Sequence, residues 1–463
     1  MLAVSYAAAA AAMLVAVLYL FLRLRPFIST TTILLGSLLI IYGPACLSYT
    51  LSSGEHSFLI NRLTGVLLGP GEVFSRISAK VPDLDAVIVA MNLSLALMYL
   101  CIIAGIEIVG KFAPRAVAVA EIAKSNWTGQ SLQDDVGNDR ILLVTISALA
   151  LFMLAISVAE HHLSTISNFF SIKGDNGARD LFRLRFGGSP IYLYRLIVTA
   201  VAPMFVIMGI LAGILRRSWA ILLVTFLLFA ATLIGKIETL SKAPPALFLL
   251  QLMLAALLAR TNRISWRFAL SGSVIAFLVI YTVASLIMIF PEQNSSIRAV
   301  YSRVFEAENE SLLENFATFP FMHPFMWGAG IRPIAALIGT PLIHSDSLVA
   351  YTWIGSHDVT NPSLFIADAW ANFSYLGVIL SSVALGMICR SIDLTFLARG
   401  KSVVGIAVLG ATFLGVFALL TTPLNVALFS GGLLLAPMLA AILAMTTRHL
   451  AAKSSPQGSP GKH

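Results

Sequence analysis

The sequence PSLFIADAWANFSYLGVIL at residues 362–380 marks where a long polar loop gives way to an apolar helix. Residues 291–362, directly in front of it, combine histidines, arginines and carboxylates with many aromatic side chains. Loops of this length are usually either functional or disordered. The aromatic and apolar content argues against disorder, so we expect a folded loop that carries functional residues.

The composition of the whole chain is that of a membrane protein. Hydrophobic residues make up 58% of the 463 positions and charged residues only 11%, whereas roughly a quarter of the residues in soluble domains are charged. A helix needs about 20 apolar residues to cross a hydrocarbon core of about 30 Å. Eleven segments meet this requirement: 2–22, 32–51, 86–109, 141–158, 191–214, 218–235, 244–260, 268–290, 363–388, 402–421 and 425–446.

Helices are the structure that these segments favour, because backbone within lipid must satisfy its own hydrogen bonds and the runs lack strand-like alternation. We therefore predict an all-α polytopic membrane protein with about eleven transmembrane helices. The predicted parts are eight helices with short loops in 1–290, a large extracytoplasmic loop in 291–362, three helices in 363–446 and a disordered cytoplasmic tail in 447–463.

The distribution of charge predicts the orientation. Lys and Arg collect on the cytoplasmic side of a membrane. A cytoplasmic carboxyl terminus places more than half of the 30 Lys and Arg on that side, but only a minority of the 22 Asp and Glu. The net charge of +8 therefore follows from topology, and no nucleic-acid partner is needed to explain it. We expect the N-terminus and loop 291–362 outside, and a solvated, mobile loop 110–140 inside.

Arginines cluster before the fifth predicted helix. Arg179, Arg183 and Arg185 precede it, and Arg195 lies about one turn inside it. The planar fork of donors on arginine suits a diphosphate. The alternative is contact with lipid headgroups, which is common near helix ends. For Arg195, an ionisable residue within a span, function is the default hypothesis.

Two lysines stand in a short connection that we predict to be outside. Lys236 and Lys242 depart there from the charge rule, which short connections normally obey. Binding an anionic headgroup at the outer leaflet would explain them. The alternatives are a misplaced helix boundary and an ion pair between Lys236 and Glu238.

The loop itself begins with the pattern of an amphipathic helix over residues 297–316. Its apolar positions are Val300, Val304, Leu312, Leu313 and Phe316, and its solvated positions are expected to be Glu306, Glu308, Glu310 and Glu314.

The ninth predicted helix begins with two polar residues. Asp368 and Asn372 are one turn apart, so they share a face, and polar groups at the end of a span more often face a hydrated cavity than lipid. Further along, Gly377 and Gly386 permit close helix packing.

The carboxyl-terminal half resembles the Wzy-type oligosaccharide repeat unit polymerases and, more distantly, the O-antigen ligases. The similar segments are LSKAPPALFLL (240–250), SIRAVYSRVF (296–305), FATFPFMHPFMWGAG (316–330) and NPSLFIADAWANFSYLGVILSSVALG (361–386). The resemblance implies a cofactor-independent glycosyl transfer on the outer face of a bacterial cytoplasmic (inner) membrane. A growing glycan would pass from a polyprenyl diphosphate to the next lipid-linked repeat unit. A flippase and a chain-length regulator would be partners.

Such a transfer needs a proton acceptor, cations for the departing diphosphate and surfaces for sugar rings. Candidate catalytic residues are His357, Asp358, His344 and Arg303. Candidate substrate-binding residues are Arg298, Arg195, Lys236, Lys242, Arg183, Trp327, Tyr351, Asp368 and Asn372. No metal-binding spacing is present in the sequence, and we expect no metal site.

Other function classes remain open. A transporter or flippase of lipid-linked sugars is the main alternative, although transporters often show repeated halves and charges near the bilayer midplane. An O-antigen ligase-type transferase would perform the same chemistry on another acceptor. A glycosyltransferase that uses polyprenyl monophosphate sugars typically has an acidic pair in its first outer loop, where Asp83 and Asp85 lie.

Overall fold

The structure is a computed structural model that describes residues 1–25, 27–55, 71–172, 176–241, 243–261, 274, 278, 301, 305–355 and 360–442. Every regular element within these residues is helical, and Gln133 and Ser402 form an isolated β-bridge. The protein is therefore all-α, as the apolar runs predict.

The described helices are numbered in chain order. The first are α1 (Leu2–Tyr19), α2 (Thr30–Tyr42), α3 (Pro44–Leu51), α4 (Glu72–Lys80), α5 (Leu84–Phe112) and α6 (Pro114–Ser125). Then come α7 (Asp139–Ala159), α8 (His162–Ser171), α9 (Asn176–Phe186), α10 (Tyr192–Leu196), α11 (Ala202–Leu215), α12 (Trp219–Ile237) and α13 (Ala243–Arg260). The last are α14 (Ala307–Thr318), α15 (Arg332–Ile338), α16 (Ser345–Ile354), α17 (Phe365–Leu397), α18 (Val403–Ala418) and α19 (Leu424–Leu428).

Eight helical segments of the described chain are long and apolar enough to cross a membrane. They are Leu2–Leu24, Thr30–Leu51, Leu84–Phe112, Asp139–Ala159, Tyr192–Leu215, Trp219–Ile237, Ala243–Arg260 and Phe365–Leu397. Each coincides with one of the predicted spans, and together they indicate a multi-pass membrane protein.

The other three predicted spans stand differently. The segment 268–290 falls outside the described residues, apart from two positions. The segment 402–421 corresponds to α18, which has 16 residues and is shorter than a typical span. The segment 425–446 is interrupted, because α19 ends at Leu428 and a turn at 429–434 precedes the helix that resumes at 435.

The bundle has two distinct ends. At one end, Arg216 pairs with Asp134 and Asp139, close to where α7 and α12 begin. Asp393, near the end of α17, accepts hydrogen bonds there from the backbone N–H groups of Thr30 and Thr31 at the start of α2. We call this the charged end. The start of α17 lies at the other end, which we call the capped end.

The cap consists of α14, α15, α16 and the turns that join them. Trp353 of α16 donates a hydrogen bond from its indole nitrogen to Thr318 Oγ1 of α14, at 2.8 Å. Trp370 of α17 donates to the carbonyl oxygen of Phe319, also at 2.8 Å, and its ring stacks on Phe316. These buried aromatic side chains fix the cap to the start of α17.

The glutamates of α14 do not form the solvated face that the sequence predicts. Glu306 and Glu314 are buried, and Glu314 receives hydrogen bonds from Arg76 of α4 at 3.1 Å and from Asn361 at 2.6 Å. The prediction is wrong because the partners of these carboxylates come from distant parts of the chain, which cover the face. Of the predicted helix 297–316, the structure describes residue 301 and the part from 305 onward.

Helices α5 and α17 are in backbone contact. A Cβ atom on Gly386 would lie 2.2 Å from the carbonyl oxygen of Ile102, and one on Gly105 would lie 2.2 Å from that of Val383. Small residues permit such contact between membrane helices, which confirms the prediction for Gly386. Gly377 instead faces Ala369 of its own helix, because α17 is broken nearby.

The break in α17 lies at Phe373 and Ser374. Their backbone angles are not helical, and Ser374 has a φ of 56°. The predicted ninth span is therefore two helical pieces, of which the shorter carries Asp368 and Asn372 beneath the cap.

The loop 110–140, which the sequence predicts to be solvated and mobile, forms hydrogen bonds with other helices and helix ends. It contains α6 and the buried side chain of Trp127, which donates to the carbonyl oxygen of Leu258 at 2.8 Å. Gln133 forms two backbone hydrogen bonds with the segment that leads into α18, to Lys401 at 2.8 Å and from Val403 at 3.0 Å. Polar residues in this stretch therefore form contacts between helix ends, which the sequence did not predict.

Candidate functional site

Five of the predicted site residues lie outside the described part of the chain. They are Arg298, Arg303, His357, Asp358 and Lys242. The others lie at the capped end, in two groups of residues and among the exposed aromatic rings of the cap.

The first group, which we call the cap carboxylate group, surrounds Asp368. Helix α16 begins at Ser345, directly after His344, and Ser345 Oγ donates to Asp368 Oδ1 at 2.7 Å. His344 is exposed, and both His344 and Asp346 are near enough to act on Asp368 electrostatically. The structure therefore brings a carboxylate, an imidazole and a hydroxyl together where α16 meets α17.

Asn372 belongs to this group, and both ends of its side-chain amide are hydrogen-bonded to backbone groups of the protein. Its Oδ1 accepts a hydrogen bond from the backbone N–H of Gly330 at 3.0 Å, and its Nδ2 donates to the carbonyl oxygen of Asp368 at 2.9 Å. Gly330 has to be small, because a Cβ there would lie 2.7 Å from Asn372 Nδ2. Asn372 is fully buried, so it positions the turn before α15 and is not itself a surface for a ligand.

Aromatic residues of the cap divide into anchors and exposed rings. Trp327 is 63% exposed and Tyr351 is 47% exposed. Phe325 packs edge-on against both Trp327 and Trp370, at ring centroid distances of 6.1 Å and 5.3 Å. Trp327 is thus an exposed residue whose ring packs against Phe325.

The second group, which we call the basic turn, is built on Gly187–Ser189. The N–H of Gly187 donates to the carbonyl oxygen of Arg183 at 2.8 Å. Arg195 donates a short hydrogen bond from Nε to the carbonyl oxygen of Ser189. Gly188 has a φ of 86°, a left-handed conformation that glycine adopts without strain. The turn therefore holds two of the predicted phosphate-binding arginines.

The basic turn is also tied to the end of α12, which carries Lys236. The N–H of Gly188 donates to the carbonyl oxygen of Glu238 at 3.1 Å, and the N–H of Ser189 donates to Glu238 Oε1 at 3.2 Å. The segments of Arg183, Arg195 and Lys236 thus meet at one turn, which spacing alone did not predict.

Lys236 is a buried lysine. Its side chain is in a residue only 2% exposed, and its Nζ lies 5.5 Å from the ring centroid of Phe248. Among the described residues, its ammonium group forms neither an ion pair nor a hydrogen bond. The alternative pair with Glu238 is absent, because Glu238 lies against His162 instead.

His162 is one of two features that the sequence did not reveal. Its Nδ1 lies 2.8 Å from Glu238 Oε2, and its Nε2 lies 3.1 Å from Glu160 Oε2. Burial raises the pKa of the Glu238 carboxyl, against the opposing effect of His162. The neighbours Glu160 and His162 in AEHHLS were the available signal, but nothing in the sequence indicated that α12 would supply a second carboxylate.

The other feature is Arg76 of α4, which binds Glu310 at 3.2 Å and Glu314 at 3.1 Å. These residues are more than 200 positions apart in the chain, so spacing could not relate them. The same helix contributes Lys80, which donates to the carbonyl oxygen of Thr352 at 2.8 Å and lies over the Trp353 ring. Helix α4 thus contacts the cap through both α14 and α16.

One segment links the two groups. Leu419, directly after α18, accepts a hydrogen bond from the N–H of Phe365 at the start of α17, at 3.0 Å. Ser430, in the turn after α19, accepts one from Thr199 Oγ1 through its carbonyl oxygen, at 2.6 Å, and its hydroxyl is 3.3 Å from that of Tyr192. Residues 419–430 therefore run from the cap carboxylate group to the helix that bears Arg195.

Among the described residues, no three His, Cys, Asp or Glu side chains are arranged to hold a metal ion. Comparison of the chain with protein-family models, with curated proteins and with solved structures gave no match. The candidate function therefore depends on the chemistry of the two groups at the capped end.

Proposed function

We propose that this protein is a membrane glycosyltransferase that polymerises polyprenyl-diphosphate-linked oligosaccharide repeat units on the outer face of the cytoplasmic membrane. The capped end is the outer face in this proposal. The resemblance of the carboxyl-terminal half to Wzy-type polymerases supports it, and the two groups at the capped end provide the chemistry that it needs.

The observation that carries the proposal is the buried side chain of Lys236, which pairs with no described carboxylate. Burial without a counter-charge disfavours the charged form of a lysine. An anion bound from outside the protein would supply that counter-charge and hold a proton on the amino group. A lipid diphosphate at headgroup level is such an anion. Arg183 and Arg195 lie on either side of the basic turn, which is bonded to the end of α12.

The proposed reaction divides between the two groups. A hydroxyl of the acceptor sugar attacks the anomeric carbon of the donor, and the bond from that carbon to the diphosphate oxygen breaks. The cations of the basic turn and Lys236 stabilise the negative charge on the departing lipid diphosphate. A carboxylate or imidazole of the cap, with Asp368 and His344 as the described candidates, takes the hydroxyl proton.

The residues outside the described chain keep their proposed roles. His357 and Asp358 are further proton acceptors, Arg303 is a further catalytic residue that would stabilise the departing diphosphate, and Arg298 and Lys242 are further ligands for phosphate. Their assignment depends on the sequence and on the resemblance. The exposed rings of Trp327 and Tyr351 are proposed to receive sugar rings on the cap surface.

Substitution of Lys236 tests the proposal directly. Protein in lipid vesicles would be given a lipid-linked repeat unit, and polymer would be measured on gels. We expect Lys236→Met to lower the rate by about 10²–10³-fold, the loss typical of removing one group that stabilises developing charge. Lys236→Arg should retain part of the activity, because the charge remains.

Lys401 offers the matched control. It is also buried, but it lies at the charged end, where its Nζ donates to the carbonyl oxygen of Arg260 at 3.2 Å. Lys401→Met should leave polymer formation within a few-fold of wild type, provided that both variants melt like the parent. Polymer formation at the wild-type rate by Lys236→Met would contradict the proposed function.

A transporter of lipid-linked sugars is the second candidate, and the break in α17 is the observation that favours it. Transporters often place broken helices and their exposed backbone groups at the substrate site. Vesicles loaded with a fluorescent lipid-linked sugar separate the two functions. Movement of the label between leaflets without polymer would establish transport, whereas polymer without movement establishes the transferase. A ligase-type transferase would form a product only with a different acceptor.

A further inference from the structure

Arg390 is a buried arginine near the charged end of α17, far along the helix from the groups of the proposed reaction. It lies one turn after Gly386, on the face of α17 that packs against α5. The residue is only 8% exposed, and its Nε has no hydrogen-bond partner. Arginines near the ends of membrane helices usually extend their charged groups into water, as Arg23 does with a side chain that is 72% exposed. Arg390 does not follow that pattern.

Asp393 lies one turn beyond Arg390 on the same helix, but its carboxylate binds the start of α2. Its two oxygens accept hydrogen bonds from the backbone N–H groups of Thr30 and Thr31, at 2.8 Å and 3.0 Å. The residue is fully buried, so both oxygens are used within the protein. No ion pair joins Asp393 to Arg390 among the described contacts.

Glu107 of α5 is a second carboxylate at this end, and it binds the end of the first membrane helix. Tyr19 Oη donates to Glu107 Oε1 at 2.7 Å, and Arg23 Nε lies 3.7 Å from the same oxygen. Both Arg390 and Arg23 are near enough to act on the Tyr19 hydroxyl electrostatically. Two arginines and one glutamate therefore leave a net positive charge where these helices meet α17.

An arginine cannot relieve its burial by losing a proton, because the guanidinium group stays charged in proteins. Removing such a charge from water is unfavourable unless an opposite charge compensates it. Among the described residues, no carboxylate pairs with Arg390. The missing counter-charge is therefore expected from outside the chain, and a phosphate is the anion that the planar fork of arginine fits best.

The surroundings of the two arginines favour a lipid over a soluble anion. Met387, one turn before Arg390 on α17, is exposed, and so are Phe21 and Leu22, which directly precede Arg23. Large apolar side chains on the outside of a membrane helix face acyl chains. Basic pockets between membrane helices are known to bind the headgroups of anionic lipids, and the charged end combines both features.

We propose that Arg390 and Arg23 bind the phosphate of an anionic phospholipid in the membrane leaflet at the charged end. The headgroup lies between the end of the helical segment Leu2–Leu24 and α17, and the acyl chains contact the exposed apolar residues of both. This site is separate from the proposed function, because it involves neither the cap carboxylate group nor the basic turn.

The test is the binding of phosphatidylglycerol that carries a fluorescent acyl chain to the full-length protein in detergent, followed by fluorescence anisotropy. Arg390→Gln should weaken binding by about 10–100-fold, the range expected for the loss of hydrogen bonds from a charged group. Arg390→Lys should bind with intermediate affinity, because the charge remains but the planar fork is lost.

Arg399→Gln is the matched control. Arg399 is exposed and lies two residues after α17, so the variant removes the same charge from the same end of the bundle. Its affinity for phosphatidylglycerol should stay close to that of wild type. Equal losses in Arg390→Gln and Arg399→Gln would show that the lipid responds only to the overall charge of this end, which overturns the site.

Unlabelled competitors identify the source of the phosphate. Phosphatidylglycerol should displace the probe, phosphatidylcholine should do so less well because it has no net charge, and an excess of inorganic phosphate should leave the probe bound. Displacement by inorganic phosphate, or equally well by phosphatidylcholine, would contradict an anionic lipid site. If Arg390→Gln does not fold, Arg23→Gln decides the matter, since that side chain is exposed: wild-type affinity in this variant overturns the proposal.

Discussion

The carboxylate of Asp368 accepts a hydrogen bond from Ser345 through Oδ1, and no described residue donates to Oδ2. One oxygen is therefore fixed in direction while the other remains able to take a proton from a ligand. It lies at the start of α17, where α16 of the cap meets that helix. Among the described residues it is our preferred proton acceptor.

Replacing this carboxylate by an amide should remove the acceptor and keep the hydrogen bond to Ser345. We expect Asp368→Asn to lower polymer formation by about 10²–10⁴-fold, the contribution typical of a positioned acid or base. Asp346→Asn is the control from the same cap, and its effect should be much smaller. Equal losses in the two variants would indicate a general need for negative charge in the cap instead of a proton acceptor.

At the charged end, the ion pair between Asp134 and Arg216 should make the free energy of unfolding depend on pH. The hydrogen bond from Arg216 lowers the pKa of the Asp134 carboxyl below its ordinary value of 3.8. A carboxylate with a lowered pKa stabilises the fold above its unfolded pKa, and that contribution is lost as pH falls through the folded pKa. Asp134→Asn should therefore be less stable than wild type at pH 6, by about 0–1 kcal/mol for a partly exposed pair, and this difference in the free energy of unfolding should shrink as the pH falls below 3.8. A gap that widens in acid would contradict this assignment.

Among the elements, the pair α5 and α17 has no room for an added atom at its contact. The 2.2 Å approach to the carbonyl oxygen of Ile102 leaves no room for a methyl group on Gly386. Both helices extend beneath the cap, so their separation would also displace Asp368.

Gly386→Ala should destabilise the protein by about 1–3 kcal/mol, as overpacking in a tight interior does. The measurement is the melting temperature in detergent. Gly36→Ala is the control, because no atom lies within 4 Å of the position of its new methyl group. That variant should be neutral or more stable by up to about 1 kcal/mol, since alanine favours helix over glycine. Equal melting of the two variants would show that α5 and α17 are not in backbone contact.

The elements that were predictable from sequence are those that hydropathy alone defines. Eight apolar runs became helices of spanning length, because each of them satisfies its backbone internally whatever its neighbours are. The elements that were not predictable depend on neighbours. In 110–140, Trp127 and Gln133 form hydrogen bonds with segments that are distant in the chain. In α14, Glu314 is buried and receives a hydrogen bond from Arg76 of α4.

For the whole molecule, the proposed function requires the capped end to be outside. Trp327 on the cap and Arg217 near the charged end are both exposed. With Trp327→Cys, an impermeant maleimide should label intact spheroplasts. With Arg217→Cys, labelling should require permeabilised membranes. The opposite pattern would place the cap in the cytoplasm, where no outer-leaflet polymerisation is possible.

The candidate site was predictable only in its residue types. Lys236, Arg195 and Asp368 stood out because charges are rare in or near membrane spans. Their grouping depends on contacts between distant segments, such as Glu238 with His162 and Ser189, or Ser345 with Asp368. A single sequence contains no signal for such pairs. The candidates Arg298, Arg303, Lys242, His357 and Asp358 remain predictions.

The polar helix α14 constrains how the protein is made. Its sequence AENESLLENFAT is too hydrophilic to enter a bilayer unaided, yet ten of its twelve residues end up buried. The hydrogen bond from Asn361 to Glu314 cannot exist until the ribosome has passed position 361, long after the early membrane helices have been translated. Nascent chains arrested before that point should expose α14 to proteases at the translocon exit, and full-length chains should shield it.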